Sequence, residues 1–289
     1  MKPVLVPLAE RLGRMALRRR GVRARWVDLP AHGARVHVYD AEGRGTLPTT
    51  VLLHGLGAAS TSFGPLLERL RPHVRRVVAP DYPGHGFSDE HTLLTADALF
   101  GAVEDTLASL DVEPAIVVGN SLGGAVALHF AITHPERVRA LVLVSPAGAH
   151  TSDEEWAEIR AAFAVRSRAD ARAFIDRVYH RPPWFLHLLA HEFPHLLGTR
   201  AVKDLVRGAS NEHFASPDQL RALKVPVMLV WGESERLLPD SHLEYFRRHL
   251  PPHAIIVRPT GFGHCPHFDD PAGLTKRILD FARDATQAR

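Results

Sequence analysis

The chain has 289 residues, 45% hydrophobic and 23% charged, which excludes a disordered or fibrous protein and suits one large α/β domain or two small ones. The net charge of +3 is uneven: residues 1–25 hold eight basic side chains against Glu10 alone, so the remaining body is acidic and has no basic stripe for nucleic acid. Cys265 is the single cysteine, which excludes an intramolecular disulfide, and no apolar run is long enough to span a bilayer; the reading is a soluble, cytoplasmic protein.

The first element is a basic tail or helix over residues 1–24. The run VLVPLA is too short for a signal-peptide core. Leu5, Leu8, Leu12 and Met15 fall at helical spacing, with arginines between them. The first reading packs this helix on the body. The second docks residues 1–25 peripherally on anionic lipid. After it, residues 25–29 and 34–40 read as an antiparallel pair joined around His32-Gly33. Further strands are expected at 50–54, 76–80, 115–119, 140–145, 227–231 and 254–259. Several are nearly continuous in Val, Leu and Ile, as in parallel strands covered on both faces. Helices are expected at 62–71, 95–110, 121–134, 241–249 and 271–284, so the pattern is a doubly wound α/β sheet. Residues 147–223 break the rhythm. They carry no strand pattern and are rich in aromatics, including Phe163, Trp184 and Phe185, as a helical insertion would be.

The stretch AIVVGNSLGGAV (115–126) places Ser121 between a strand and a helix, with Gly119 and Gly123 two residues to either side. Side chains there would collide across so tight a turn. A serine held in that strained bend projects its hydroxyl from the C-terminal edge of the sheet, the nucleophile elbow G-x-S-x-G. A serine hydroxyl is a weak nucleophile and needs a base, which an acid must orient. On this pattern the acid and then the base follow at the ends of later strands. VMLVW is followed by GESERLLPD, where Glu235 stands at the loop tip, with Glu233 and Asp240 as competitors. AIIVRP is followed by TGFGHCPHFDDP, where His264 lies in a glycine-flanked loop. The backbone N–H groups of Leu56, in HGLG (54–57), and of Leu122 are the oxyanion donors, and His54 is read as a structural hydrogen-bonder.

Together these residues resemble the α/β-hydrolase superfamily over about residues 25–285. DYPGHGFSD (81–89) is similar to the family loop D-x-x-G-x-G-x-S. VPVMLVWGESERLLP (225–239) and GFGHCPHFDDP (261–271) resemble its acid and histidine segments. The resemblance implies a mostly parallel eight-stranded sheet with helices on both faces. It also implies a core of residues 25–146 and 224–289, and a helical cap, 147–223, inserted after strand 6. By the same resemblance Ser121, Glu235 and His264 are nucleophile, acid and base. The sequence departs from this branch in having glutamate where aspartate is usual. Relatives that place aspartate at position 121, the haloalkane dehalogenases and epoxide hydrolases, are set aside. C–C bond hydrolases of ring-cleavage pathways share GNS-[ML]-GG but usually carry tryptophan where Cys265 stands.

The expectation is therefore a serine carboxylesterase or monoacylglycerol-lipase-like enzyme acting on a small-molecule ester with an apolar acyl group. The alternatives are a C–C bond hydrolase and a non-catalytic small-molecule receptor. Trp184, Phe185 and Phe163 are expected in the acyl pocket, against the alternative that the aromatics are core of the helical lobe. No cofactor and no metal are expected. HEFPH (191–195) matches a zinc signature, but Pro194 interrupts its helix, and GLGAAS (55–60) imitates a dinucleotide loop only weakly.

Overall fold

The structure is a computed structural model that describes residues 4–90 and 93–287. In chain order it runs α1 (Leu5–Arg19), β1 (Arg23–Leu29), β2 (Ala34–Glu42), β3 (Thr50–Leu53), α2 (Gly64–Leu70), β4 (Arg76–Pro80), α3 (Ala96–Ser109), β5 (Ala115–Asn120), α4 (Leu122–Thr133) and β6 (Val138–Val144). Six helices follow without a strand: α5 (Asp153–Phe163), α6 (Arg168–Val178), α7 (Trp184–Leu189), α8 (Phe193–Leu196), α9 (Arg200–Gly208) and α10 (Pro217–Arg221). The chain then returns through β7 (Val227–Val230), α11 (Asp240–His249), β8 (Ile255–Val257), α12 (Pro266–Asp269) and α13 (Pro271–Gln287).

The eight strands form one sheet in the order β1-β2-β4-β3-β5-β6-β7-β8. β2 runs antiparallel to both its neighbours, and every pair from β4 to β8 is parallel. Alternate residues of a strand enter opposite layers, as the two-residue period of a pleated strand requires. Val51, Leu53 and Val117 pack under α3, α4 and α11, while Leu52, Ile116 and Val118 pack under α2 and α13. Each such buried Val, Leu or Ile contributes about 1.5–3 kcal/mol. Because β3, β5 and β6 are central, the helix that covers them, α4, is apolar nearly all round: Val126, Ala127, Leu128, Phe130 and Ala131 are all buried.

The helical insertion has a small core of its own, in which Val165, Phe174, Ile175, Val178, Ala190 and Leu197 pack together. Its first two helices carry local start signals: Ser152 and Glu155 close one capping box, Ser167 and Asp170 another.

The N-terminal helix forms, but it packs differently from the first sequence reading. Leu17 enters the core, whereas Leu5, Leu8, Leu12 and Met15 face outward. The side of α1 turned to the body is mixed, with Val6, Glu10, Arg14 and Leu17 on it. Arg14 lies over the Phe87 ring at 4.7 Å. Glu10 is partly buried, and that burial, with Asp81 nearby, raises its carboxyl above the ordinary range.

Candidate active site

The turn from β5 into α4 admits only glycine at three positions. A Cβ on Gly119 would lie 2.0 Å from the Gly123 carbonyl oxygen. One on Gly123 would lie 2.0 Å from the Leu53 carbonyl oxygen, and one on Gly124 would strike Pro146 at 2.5 Å. Ser121 sits at the crest with φ 56° and ψ −120°, a conformation that non-glycine residues adopt only under constraint. The constraint comes from four backbone bonds. Its N–H donates to Val144 O, and its own carbonyl accepts from Gly124, Ala125 and Ala147.

Glu235 and His264 meet at the same edge of the sheet. His264 Nδ1 lies 2.8 Å from Glu235 Oε2, with only 3% and 1% of the two side chains exposed. The other carboxylate oxygen accepts from the N–H groups of Leu237 and Leu238 at 2.8 and 3.0 Å. Burial pushes the Glu235 carboxyl up, but the facing His264 imidazole, helped by the Leu238 N–H, outweighs it, and the group stays below the ordinary value of 4.5. The ionised carboxylate therefore holds a proton on Nδ1 and leaves Nε2 as the basic nitrogen. The competing acids stand elsewhere. Glu233 is exposed, and Asp240 opens α11 and reaches Arg258 at 3.9 Å.

Asn120, next to Ser121, ties the histidine loop to the elbow. Its amide nitrogen donates to Val144 O at 3.1 Å and to His264 O at 2.8 Å, and its oxygen receives Cys265 Sγ at 3.6 Å. Sequence reasoning gave Asn120 no role, although it is the middle residue of GNS. Among the described residues no hydrogen bond joins the Ser121 hydroxyl to His264. Catalytic hydrogen bonds are often long or open in the absence of substrate.

The HGLG loop lies against the elbow. A Cβ on Gly55 would sit 3.3 Å from Ser121 Cβ. His54 uses both ring nitrogens on backbone, Nδ1–H donating to Gly55 O at 2.9 Å and Nε2 accepting from Tyr82 N–H at 3.2 Å. The loop is anchored further by Asp81, whose carboxylate accepts from Ser60 N–H, the Ser60 hydroxyl, Phe87 N–H and His37 Nδ1. The N–H groups of Leu56 and Leu122 have no acceptor among the described residues, and both residues line a cavity with Ser121.

That cavity has a volume of about 100 Å3 and lies between the sheet edge and the insertion. Its walls are mainly apolar, with Phe100 and Leu122 from the body and Trp156, Ile159, Phe163 and Phe214 from the insertion. Phe163 is thus on the lining. Trp184 and Phe185 are not: they are 75% and 48% exposed on the outer side of α7. The expectation that these two line an acyl pocket is corrected, and so is the alternative that they are core. α7 is short and packs through other side chains, Leu186 among them. Sequence reasoning missed Phe100, Phe214 and His242, which reach the cavity from three separate elements. His242 Nε2 pairs with Thr151 Oγ1 at 3.0 Å, and burial lowers its pKa to about 4, so the imidazole is neutral. A larger cleft of about 810 Å3 lies at the opposite edge, lined by His73, Arg75, Arg139 and Arg283, and touches none of these groups.

HEFPH serves another purpose. His191 and Glu192 lie in a 3-10 turn (Ala190–Glu192) and His195 in α8, so the chain stays helical through Pro194, which sits in the first turn where its missing N–H costs nothing. Glu192 caps α1, accepting from the N–H groups of Val4, Leu5 and Val6 at 2.8, 2.7 and 2.6 Å.

Comparison with known proteins agrees with this architecture. The family model described as alpha/beta hydrolase fold matches residues 48–271. An uncharacterized protein of Mycobacterium tuberculosis is 30% identical over 283 residues, covering 86% of this chain and 81% of that protein. A pimeloyl-(acyl-carrier protein) methyl ester esterase of Neisseria meningitidis is 31% identical over 242 residues, covering 80% of this chain and 91% of the esterase. Among solved structures, a bacterial membrane phospholipase A superposes with a TM-score of 0.81 at 23% identity, covering 97% of this chain and 90% of its own. The 2-hydroxy-6-oxo-6-phenylhexa-2,4-dienoate hydrolase of Rhodococcus gives 0.74 at 24% identity, over 91% of this chain and 99% of its own. The chain belongs to the alpha/beta hydrolase fold family.

Proposed function

We propose that the protein is a serine hydrolase of carboxylic esters with an apolar acyl group. The observation that carries this reading is the buried Glu235–His264 pair at 2.8 Å, on the sheet edge that bears the strained Ser121. His264 Nε2 takes the Ser121 proton as the hydroxyl oxygen bonds to the ester carbonyl carbon. The carbonyl π pair moves to oxygen, where the N–H groups of Leu56 and Leu122 hold the negative charge; each such donor stabilises the transition state by about 3 kcal/mol. The imidazolium then protonates the departing alcohol, leaving an acyl-enzyme. Water, deprotonated by the same nitrogen, releases the acid and restores the serine. Glu235 keeps the imidazole in the productive tautomer throughout. The apolar walls of the cavity suit an acyl chain, and the esterase named for the Neisseria relative acts on a methyl ester of an acyl chain.

The test is fluorophosphonate labelling with p-nitrophenyl ester turnover. Wild type is expected to be labelled at Ser121 and to hydrolyse the esters. Ser121→Ala is expected to lose both, with a rate drop on the order of 10^4-fold or more. Folded, unlabelled wild type would favour a receptor. Faster turnover of a dienone C–C substrate than of any ester would move the assignment to the C–C hydrolases.

A further inference from the structure

Apart from Leu17 and Val6, α1 turns its large apolar side chains away from the protein. Val4, Leu5, Leu8, Leu12 and Met15 form one exposed stripe, with Leu12 54% exposed, while Glu10 and Arg14 face the body. A helix held only by packing would do the reverse. The three bonds from Glu192 set the start of α1 beside the 3-10 turn that follows α7. α7 carries a second outward apolar group, Trp184, Phe185 and Leu188. Two exposed apolar groups are thereby joined at one buried carboxylate, too many for the scattered apolar residues of an ordinary surface.

The charges around the stripe identify its occupant. Arg11, Arg18 and Arg19 are exposed on α1 and make no ion pair among the described residues. The one acid of the helix, Glu10, is turned inward. A second copy docked on this face would oppose arginine to arginine with no acid from the helix between them. An anionic bilayer instead meets the arginines with headgroup phosphates and the stripe with acyl chains, and an exposed tryptophan suits the headgroup boundary. At 15 residues α1 is about 22 Å long, and no helix among the described residues is long and apolar enough to cross a membrane. The helix would lie in the plane of the surface.

We propose that α1 and α7 together form a membrane-docking face for bilayers carrying anionic lipid. The proposal goes beyond the esterase reading and does not depend on it. The insertion that walls the cavity also carries α7, so docking sets the bilayer against the element that shapes the substrate cavity.

The test is flotation of the full chain with vesicles of phosphatidylcholine alone or mixed with phosphatidylglycerol. Wild type is expected to bind the mixed vesicles at least 10-fold more tightly than phosphatidylcholine alone, less so in high salt. Leu8→Ser, Leu12→Ser and Met15→Ser combined should weaken that binding at least 10-fold. Arg11→Gln, Arg18→Gln and Arg19→Gln combined should remove most of its salt dependence. Turnover of a soluble p-nitrophenyl ester should be unchanged in both variants, which separates this proposal from the esterase assignment. Trp184→Ala alone should weaken vesicle binding measurably, and it gives an independent reading should the serine triple lower the melting temperature. Equal flotation of wild type and all variants would overturn the proposal. So would a lipid-free dimer that the serine triple converts to monomer.

Discussion

The sheet body and the helical insertion divide the cavity unequally. The body supplies every group of the proposed chemistry: Leu56, Ser121, Glu235 and His264 stand on loops past its strand ends, and Leu122 opens α4. The insertion supplies wall, chiefly Trp156, Ile159, Phe163 and Phe214. The first set is pinned by short backbone bonds to a parallel sheet. The second rests on short helices with a small core of their own. Chemistry and selectivity can therefore be altered separately, because different elements hold them.

The largest effect is expected on the body side. Glu235→Gln keeps the size of the side chain but removes the charge that orients His264. Ester turnover should fall by about 10^3–10^4-fold, by the same factor for short and long acyl esters, with the fold retained by circular dichroism. A loss confined to one ester would move Glu235 from the chemistry to recognition.

A smaller effect separates the two regions by pH. Burial lowers the pKa of His85 and His242 to about 4 and of His267 to about 3, from an ordinary 6.5, and all three lie outside the insertion. A lowered folded pKa means that the unfolded chain takes up protons first as the solution is acidified. The stability is fully present above pH 6.5 and is lost as pH falls towards 4. All three imidazoles contribute to that loss in the same direction. The urea midpoint should accordingly drop between pH 7 and pH 5. A flat midpoint over that interval would show that these imidazoles are more solvated than their burial implies.

The smallest effects compare two aromatics of the insertion. Phe163→Trp adds volume at the cavity wall and should shift preference towards shorter acyl esters by about 10-fold in kcat/KM. Trp184→Ala, on the outside, should leave chain-length preference unchanged and stability within about 0.5 kcal/mol. The opposite pattern would place the acyl chain outside the cavity described.

Much of the body was legible in the sequence because its signals are local. Continuous Val, Leu and Ile runs marked parallel strands, and the glycines around Ser121 marked a bend that Cβ atoms would block at 2.0 Å. Glu235 could be singled out from Glu233 and Asp240 by its place at the loop tip, and the structure sets it against His264. The insertion was legible only as helix. Phe163 and Trp184 carry similar local signals, yet one lines the cavity and the other is exposed. His242 carried none, being one of 19 histidines, with its cavity position set by Thr151, 91 residues away in the chain.

The amino-acid order alone determined which segments are strand or helix, where the chain must bend, and that α1 has an apolar stripe, because each follows from periodicity or from clashes within a few residues. Tertiary structure alone decided which way that stripe faces, which aromatics wall the cavity, and that Glu192 holds the start of a helix more than 180 residues earlier. Those outcomes depend on which surfaces meet when distant segments pack, and no local pattern contains that information.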